Sequence, residues 1–392
     1  MYRFQPQVYL TVGAAGACIY DLPHRRLWHA SLETAELLRR ACSGEQTAFS
    51  AAESEILRQM CDAELLAESQ TPAPPHDISE LRQAPAIRQA WIELCTDCNL
   101  RCRHCYNEAS GQGIRMTEDD FRLVCQRLQE AAVDDVQFIG GEPFRHPALR
   151  SILETAAKQF RRIEIFTNGT LLDDAWCRLL QALKIRAALS VYSDQPEIHD
   201  AVTGIRGSHA AVMHGVDLLR QYGIPFRTAA VAMKGNASCE HADIVRMSGR
   251  GNLRLLTPEL LRQKFITKET FRRRLDPQRV QKAVSGNPCF SRKIYIAADL
   301  TVYPCVMERR MQHGSLRENP LSRLLRQDIM QMNRDSIPQC SICEYRYACA
   351  PCLPDSLSDN PAEKPYFCTY DAASGIWKDP AEQIAAVLGG NP

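Results

Sequence analysis

The chain has 392 residues, with 47 basic against 46 acidic side chains and a formal net charge of +1 at pH 7. It lacks the basic excess of a protein that grips nucleic-acid backbones, and its apolar runs fall far short of a bilayer span. The length exceeds what one core serves, so two or three domains are expected. Residues 1–12 show no signal-peptide features, which places the chain in the cytoplasm; there, 17 cysteines point to metal ligation and not to disulfides.

Residues 1–70 read as a module of their own. Short strand-like runs at 8–12, 17–20 and 26–28 are separated by Gly13, Gly16 and the Asp21-Leu-Pro23 turn. Ser31 caps a helix carrying Leu32, Ala35, Leu38 and Cys42 that stops near Gly44, and a second helix carries Ile56, Leu57 and Met60. This winged-helix-like layout resembles the peptide-recognition modules, related to small chaperones of quinone-cofactor biosynthesis, that precede many peptide-modifying radical enzymes. The resemblance implies that a precursor's leader peptide adds as a strand to the sheet edge. The competing reading is a structural cap on the catalytic domain.

Thr71-Pro-Ala-Pro-Pro75 opens a linker, 71–87, that neither helix nor sheet would accept. From 88 to 256 strands and helices alternate. Strands are expected at 90–94, 136–139, 163–166, 187–191, 227–233 and 253–256. Helices are opened by Thr117 and Pro147, carry Trp176, Leu179, Leu180 and Leu183, or run from His209 to Tyr222. Such alternation predicts an α/β fold with a parallel sheet of about six strands and ligands at its carboxyl ends. Residues 257–288 read as a basic helical bridge.

Three cysteines, Cys98, Cys102 and Cys105, stand in C-x3-C-x2-C spacing after the first of these strands, followed by Tyr106. Three thiolates on one loop leave one iron of a cubane cluster without a protein ligand, and an open position is where chemistry happens. A zinc knuckle completed by Cys95 or His104 is the competing reading; Cys95 is taken as a neighbour, not a ligand. Gly140-Gly-Glu-Pro143 follows the second strand, where glycines admit close backbone approach and Glu142 sets a carboxylate at the sheet mouth.

Together these motifs resemble radical S-adenosylmethionine (SAM) enzymes, whose fold is a partial (β/α)6 barrel. The resemblance implies that Cys98, Cys102 and Cys105 hold a 4Fe–4S cluster and that Gly140, Gly141, Glu142 and Pro143 lie at the SAM amino group. It also implies that Tyr106, Asn168 of Thr167-Asn-Gly169 and Ser190 line the cofactor site. His199-Asp200 and Arg206 resemble a further family stretch. The chemistry so implied is one-electron cleavage of SAM to a 5′-deoxyadenosyl radical that abstracts hydrogen from a substrate.

Residues 289–392 add seven cysteines: Cys289, Cys305, Cys340, Cys343, Cys349, Cys352 and Cys368. Seven are too many for one site and nearly enough for two four-ligand clusters; a double zinc ribbon competes. Their order resembles the SPASM domain of peptide-modifying radical SAM enzymes, although this chain has C-x2-C-x5-C-x2-C where most relatives have x3 in the last gap. The resemblance implies a closed 4Fe–4S cluster on Cys340, Cys343, Cys349 and Cys368, and a second on Cys289, Cys305 and Cys352. The chain would then hold SAM and three clusters. Relatives also carry an Ile-Tyr-Asp-Leu turn, as Ile19 to Leu22 does here.

The reading that follows is a maturase of ribosomal peptides, of the grasp-associated or cyclophane-forming type. It would bind a leader through residues 1–70, draw electrons from a flavodoxin or ferredoxin, and form an intrapeptide cross-link, a carbon–carbon cyclophane. Thioether formation, sulfatase maturation and tetrapyrrole oxidation are alternatives on the same clusters, and a zinc-stabilised peptide-binding protein is the non-catalytic one. Neither nucleic acid nor membrane is an expected partner.

Overall fold

The computed structural model describes residues 1–46, 48–106, 113–236, 243–246, 255–349 and 356–389. The chain opens with β1 (Tyr2–Phe4), β2 (Val8–Val12), β3 (Ala17–Asp21) and β4 (Arg26–Ala30), then α1 (Leu32–Ser43), α2 (Ala51–Asp62) and β5 (Leu66–Glu68). β2, β3 and β4 form an antiparallel sheet in the order 2-3-4, while β1 pairs with β5 and ties the two ends of the module together. Ser31 accepts from the Thr34 amide, and Gly44 closes α1 at φ 78°, a left-handed position suited to glycine. A Ser50–Glu53 capping box opens α2.

Every residue of β3 is buried, so both faces of this small sheet are covered. Ile19 packs with Phe4, Leu37, Leu38 and Leu57 under the helices. Cys18 and Tyr20, on the other face, pack with Val280, Tyr345, Tyr347 and Tyr370 from far down the chain. The module is therefore joined to the rest of the molecule through its sheet. Ile19 to Asp21 lie within β3, so the Ile-Tyr-Asp-Leu stretch is mostly strand, and the turn begins at Leu22.

Residues 71–77 carry no regular structure, but a 3-10 turn at Ile78–Leu81 anchors the linker by burying Ile78 in the same core as Tyr20. The alternating region follows as β6 (Gln89–Glu93), α3 (Glu118–Glu130), β7 (Asp135–Ile139), α4 (Leu149–Gln159), β8 (Arg162–Thr167), α5 (Asp174–Ala182) and β9 (Arg186–Ser190). It continues with α6 (Pro196–Thr203), α7 (Ser208–Gln221), β10 (Phe226–Ala232) and β11 (Asp243–Arg246). β6 to β11 lie side by side in chain order and all parallel, the expected open (β/α)6 arrangement. Helix faces such as Phe121, Val124 and Leu128 of α3 and Leu149, Ile152 and Leu153 of α4 pack on alternate strand residues in one core.

Two expectations are corrected. The sixth strand is β11, not 253–256; of that stretch 253 and 254 lie outside the described residues, and Leu255 and Leu256 are buried without joining the sheet. α6 was not foreseen, because its eight residues carry too few apolar positions for a clear period. The sheet also continues past six strands: β12 (Lys293–Ile296) runs parallel along the free side of β6, followed by antiparallel β13 (Thr301–Tyr303) and β14 (Gly314–Ser315). The barrel and the cysteine-rich region thus share one nine-stranded mixed sheet. Between them, Pro258–Lys264 and Pro277–Ser285 are α-helical and Lys268–Arg272 is a 3-10 turn. Among the described residues no helix is long and apolar enough to cross a membrane.

Candidate active site and thiol centres

The C-terminal end of β6 delivers the cysteine loop to the mouth of the sheet. Cys95 is buried, and its thiol donates to the carbonyls of Glu142 (3.4 Å) and Asp97 (3.8 Å). Burial pushes that thiol up to about 12. The Asp97 carboxylate is fully buried and takes one guanidinium from Arg115 and another from Arg145, each at 2.9 Å. Burial would raise its pKa, but the two arginines more than offset this and hold it down at about 2. Asp97 therefore pins the base of the loop immediately before Cys98.

The glycines of Gly140-Gly-Glu-Pro143 have a reason different from the expected one. A β-carbon on Gly140 would lie 2.4 Å from the Cys95 carbonyl oxygen, and one on Gly141 would lie 2.2 Å from that of Asp97. The close approach they allow is by the chain's own cysteine loop, locked by Gly141 N–H to Cys95 O (2.7 Å) and Glu142 N–H to Asp97 O (2.9 Å). Glu142 also differs from expectation, because it faces inward and is fully buried. Its carboxylate accepts from Thr167 Oγ1 (2.7 Å), the Asn168 amide (2.7 Å) and the Phe144 amide (3.1 Å). Burial pushes its carboxyl up to about 7 against the pull of these donors. Pro143 is buried in the short 3-10 turn that Glu142 caps. Glu142 thus fastens the β7 end to the Thr167-Asn-Gly169 turn of β8.

That turn carries Asn168 to the cysteines. Asn168 Nδ2 donates to Asn99 Oδ1 (2.8 Å) and lies 3.8 Å from Cys98 Sγ, which also receives the Leu100 amide at 3.4 Å. Two N–H groups aimed at one sulfur are what a metal-bound thiolate accepts. Burial takes the Cys98 thiol up to about 11 and the Cys102 thiol to about 12, and the neighbouring Cys105 sulfur adds to both. Incoming iron would have to displace those protons.

Ser190 ends β9 beside the Tyr192 hydroxyl, which in turn interacts with Cys102. Tyr106 is 40% exposed, and its ring faces the Arg309 guanidinium at 5.9 Å. His199 accepts the Tyr192 amide, and Asp200 caps the start of α7 through Gly207, Ser208 and His209; both hold structure. Arg206 is exposed. The residues that went unforeseen are Asp97, Arg115, Arg145 and Arg309. Their roles arise from partners 18 to 48 positions away for Asp97 and from another domain for Arg309, and no local motif marks them.

A second convergence lies in the C-terminal region. Cys340, Cys343, Cys349 and Cys368 line one pocket with Ile266, Phe271, Arg334 and Lys364, and Cys349 feels the other three thiols. Cys305 receives the Met307 amide at 3.4 Å and has Cys289 as an electrostatic neighbour; Cys352 lies outside the described residues. Among the described residues no three His, Cys, Asp or Glu side chains gather tightly enough for a single ion. A lone zinc needs all its donors around one point, whereas a cubane attaches each thiolate to a different iron and accepts a wider set. Four thiols around one pocket, with Cys289 and Cys305 as a separate pair, are a donor set that 4Fe–4S clusters accept.

Comparisons with known proteins agree with this geometry. Residues 92–247 match the Radical SAM superfamily. The subtilosin biosynthesis protein AlbA of Bacillus subtilis (strain 168), described as an antilisterial bacteriocin biosynthesis protein, is 33% identical over 155 residues, 39% of this chain and 35% of that protein. A probable GTP 3′,8-cyclase of Pyrobaculum aerophilum is 32% identical over 143 residues, 36% of this chain and 46% of that protein. The chain thus spans between a third and a half of the length of these curated relatives. Among solved structures, anSMEcpe with bound AdoMet superposes with a TM-score of 0.53 at 16% identity, over 77% of this chain and 97% of that one. Streptococcus suis SuiB bound to its precursor peptide SuiA gives 0.54 at 13%, over 90% and 96%. At such identities the likeness is one of fold. A parallel α/β sheet with three cysteines gathered at its carboxyl mouth, and a family match over the same stretch, point the same way: residues 92–247 are similar to the radical SAM domain, whose family works with S-adenosylmethionine and a 4Fe–4S cluster.

Proposed function

We propose that this protein is a peptide-modifying radical SAM enzyme that acts on a ribosomally made precursor and forms a cross-link within it, a carbon–carbon bond of the cyclophane type. The observation that carries the reading is the pairing of the radical SAM domain with a second four-thiol site and a small sheet whose outer strand, β4, has no strand partner on one side among the described residues. A peptide can add to such an edge. AlbA is a biosynthesis protein of a bacteriocin and SuiB is seen with a precursor peptide, which supports a peptide substrate here.

In this reading Cys98, Cys102 and Cys105 ligate the SAM cluster, and Gly140, Gly141, Glu142, Pro143, Asn168, Ser190 and Tyr106 surround the cofactor. When bound, the cluster and SAM supply a 5′-deoxyadenosyl radical. The chain's own part is to hold and shield. Asp97 and Glu142 fasten the loop to β7 and β8, and Asn168 and Leu100 direct N–H groups at Cys98. Cys340, Cys343, Cys349 and Cys368 would hold one auxiliary cluster and Cys289, Cys305 and Cys352 another, to take up the electron left after bond formation. A cytoplasmic setting with flavodoxin or ferredoxin as reductant completes the proposal.

The test is iron and acid-labile sulfide on anaerobically reconstituted protein, with 5′-deoxyadenosine measured on the same sample. About twelve iron per chain, with SAM cleavage, is expected. Coexpression with a precursor encoded beside the gene should give a product lighter by two hydrogens. Cys98→Ala should abolish SAM cleavage, whereas Cys349→Ala should impair cross-linking more than cleavage. Zinc in place of iron, or a Cys98→Ala variant that still cleaves SAM, would overturn the reading.

A further inference from the structure

The N-terminal sheet and the second thiol site meet at one buried carboxylate. Glu344 follows Cys343, its side chain is fully buried, and Oε1 accepts from the Tyr370 hydroxyl at 2.5 Å. On its other side stands the turn between β2 and β3. The Ala14 amide donates to Ile342 O (2.8 Å), and Arg346 Nη1 bridges Val12 O (3.3 Å) and Cys343 O (2.8 Å). A β-carbon on Gly13 would lie 2.7 Å from the Glu344 amide nitrogen and from its Oε2, so the turn sits directly against the loop with no slack.

Tyr20 adds a second grip. From the middle of β3 its hydroxyl donates to Glu344 O (2.8 Å) and accepts the Tyr347 amide (3.3 Å). His29 of β4 stacks on Tyr345, with ring centroids 5.8 Å apart, and its Nε2 is 3.6 Å from Glu344 Oε1. Tyr370, the partner of Glu344, belongs to the Cys368 segment, where Lys364 donates to its carbonyl. The module thus contacts the 343–349 loop at Cys343, Glu344, Tyr345, Arg346 and Tyr347, between two of the four thiols.

We propose that the N-terminal module positions the second thiol site: the 12–17 turn and Tyr20 hold the 343–349 loop in the shape that gathers its thiols, with Glu344 as the positioning residue both sides share. The module then has a role besides peptide recognition, because without it the loop loses the amide partners and the packing that set its path.

This rests on the reading of the four thiols as a cluster site, and Cys349→Ala separates the two claims. Full-length Tyr20→Phe, which keeps the ring and removes the hydroxyl, and Gly13→Ala are reconstituted anaerobically beside Cys349→Ala. Iron and the EPR spectrum with and without SAM are read. Tyr20→Phe and Gly13→Ala should lose iron toward the level of Cys349→Ala, a deficit of about four per chain, while the SAM-responsive part of the spectrum is retained. Full iron and an unchanged SAM-insensitive signal in Tyr20→Phe would overturn the positioning role. Unchanged iron in Cys349→Ala would instead sink the cluster-site reading. Should Gly13→Ala fail to fold, Tyr20→Phe decides alone.

Discussion

Gly141→Ala is a small change with a large expected effect. The added methyl would lie 2.2 Å from the Asp97 carbonyl oxygen, about 1.2 Å inside the 3.4 Å at which ordinary contact begins. The neighbour is main chain, so no side chain can swing aside, and interiors packed at crystal density leave no slack. Relief requires the 95–97 segment to move outward by about an ångström, stretching the hydrogen bonds from Gly141 to Cys95 and from Glu142 to Asp97. Overpacking of this kind costs about 1–3 kcal/mol. The larger consequence is at Cys98, one residue beyond, where a displacement of about 1 Å can cost about 100-fold in rate. The assay is 5′-deoxyadenosine formation and iron content, with far-UV circular dichroism as a check on fold. Gly389→Ala, where an added methyl meets nothing within 4 Å, serves as the control. The variant should keep its secondary structure and lose either cluster or turnover. Full iron with a wild-type rate would show that the loop tolerates the methyl and would refute the argument that this contact fixes Cys98.

Two pH predictions follow from the carboxylates, both measured by denaturant melts of the metal-free chain. Glu142 has its carboxyl raised from an ordinary 4.5 to about 7 by burial, so the folded state holds the proton longer. Its contribution is full below about pH 4.5 and lost as pH rises through 7, a span of about 3 kcal/mol. Glu142→Gln should flatten that slope, while its amide opposes the Asn168 N–H and costs about 1–3 kcal/mol at low pH; an unchanged slope would disprove the assignment. Asp97 behaves oppositely. Held at about 2 by Arg115 and Arg145 against the effect of burial, it stabilises above an ordinary 3.8 and loses that effect as pH falls through 2. Its arginines are 43% and 33% exposed, so Asp97→Asn should cost only about 1–2 kcal/mol after solvent screening and remove that acid-side step.

Much of the fold was legible because it follows local rules. The caps at Ser31 and Thr117 lie where their helices begin, and the strand at 136–139 buries Val136, Phe138 and Ile139. The strand at 243–246 was missed because its four residues carry only two apolar side chains, and Leu253 to Leu256 offered a stronger apolar run nearby. β12 to β14 read as part of a separate C-terminal region, since nothing in a strand's own sequence names the edge it will join. The glycines of Gly140-Gly-Glu-Pro143 were legible as positions of close approach, but what approaches them was not.

The sequence by itself determined the order of the α/β units and the placing of Cys98, Cys102 and Cys105 on one loop, because hydrophobic period and residue spacing are properties of neighbouring residues. Tertiary structure alone decided that Asp97 lies between Arg115 and Arg145, that Glu142 turns inward to Thr167 and Asn168, and that Tyr20 reaches Glu344 more than three hundred residues away. These are buried polar contacts. Each satisfies a group that would be costly to leave unpaired, and any residue of suitable chemistry could have supplied the partner, so the choice belongs to the folded chain.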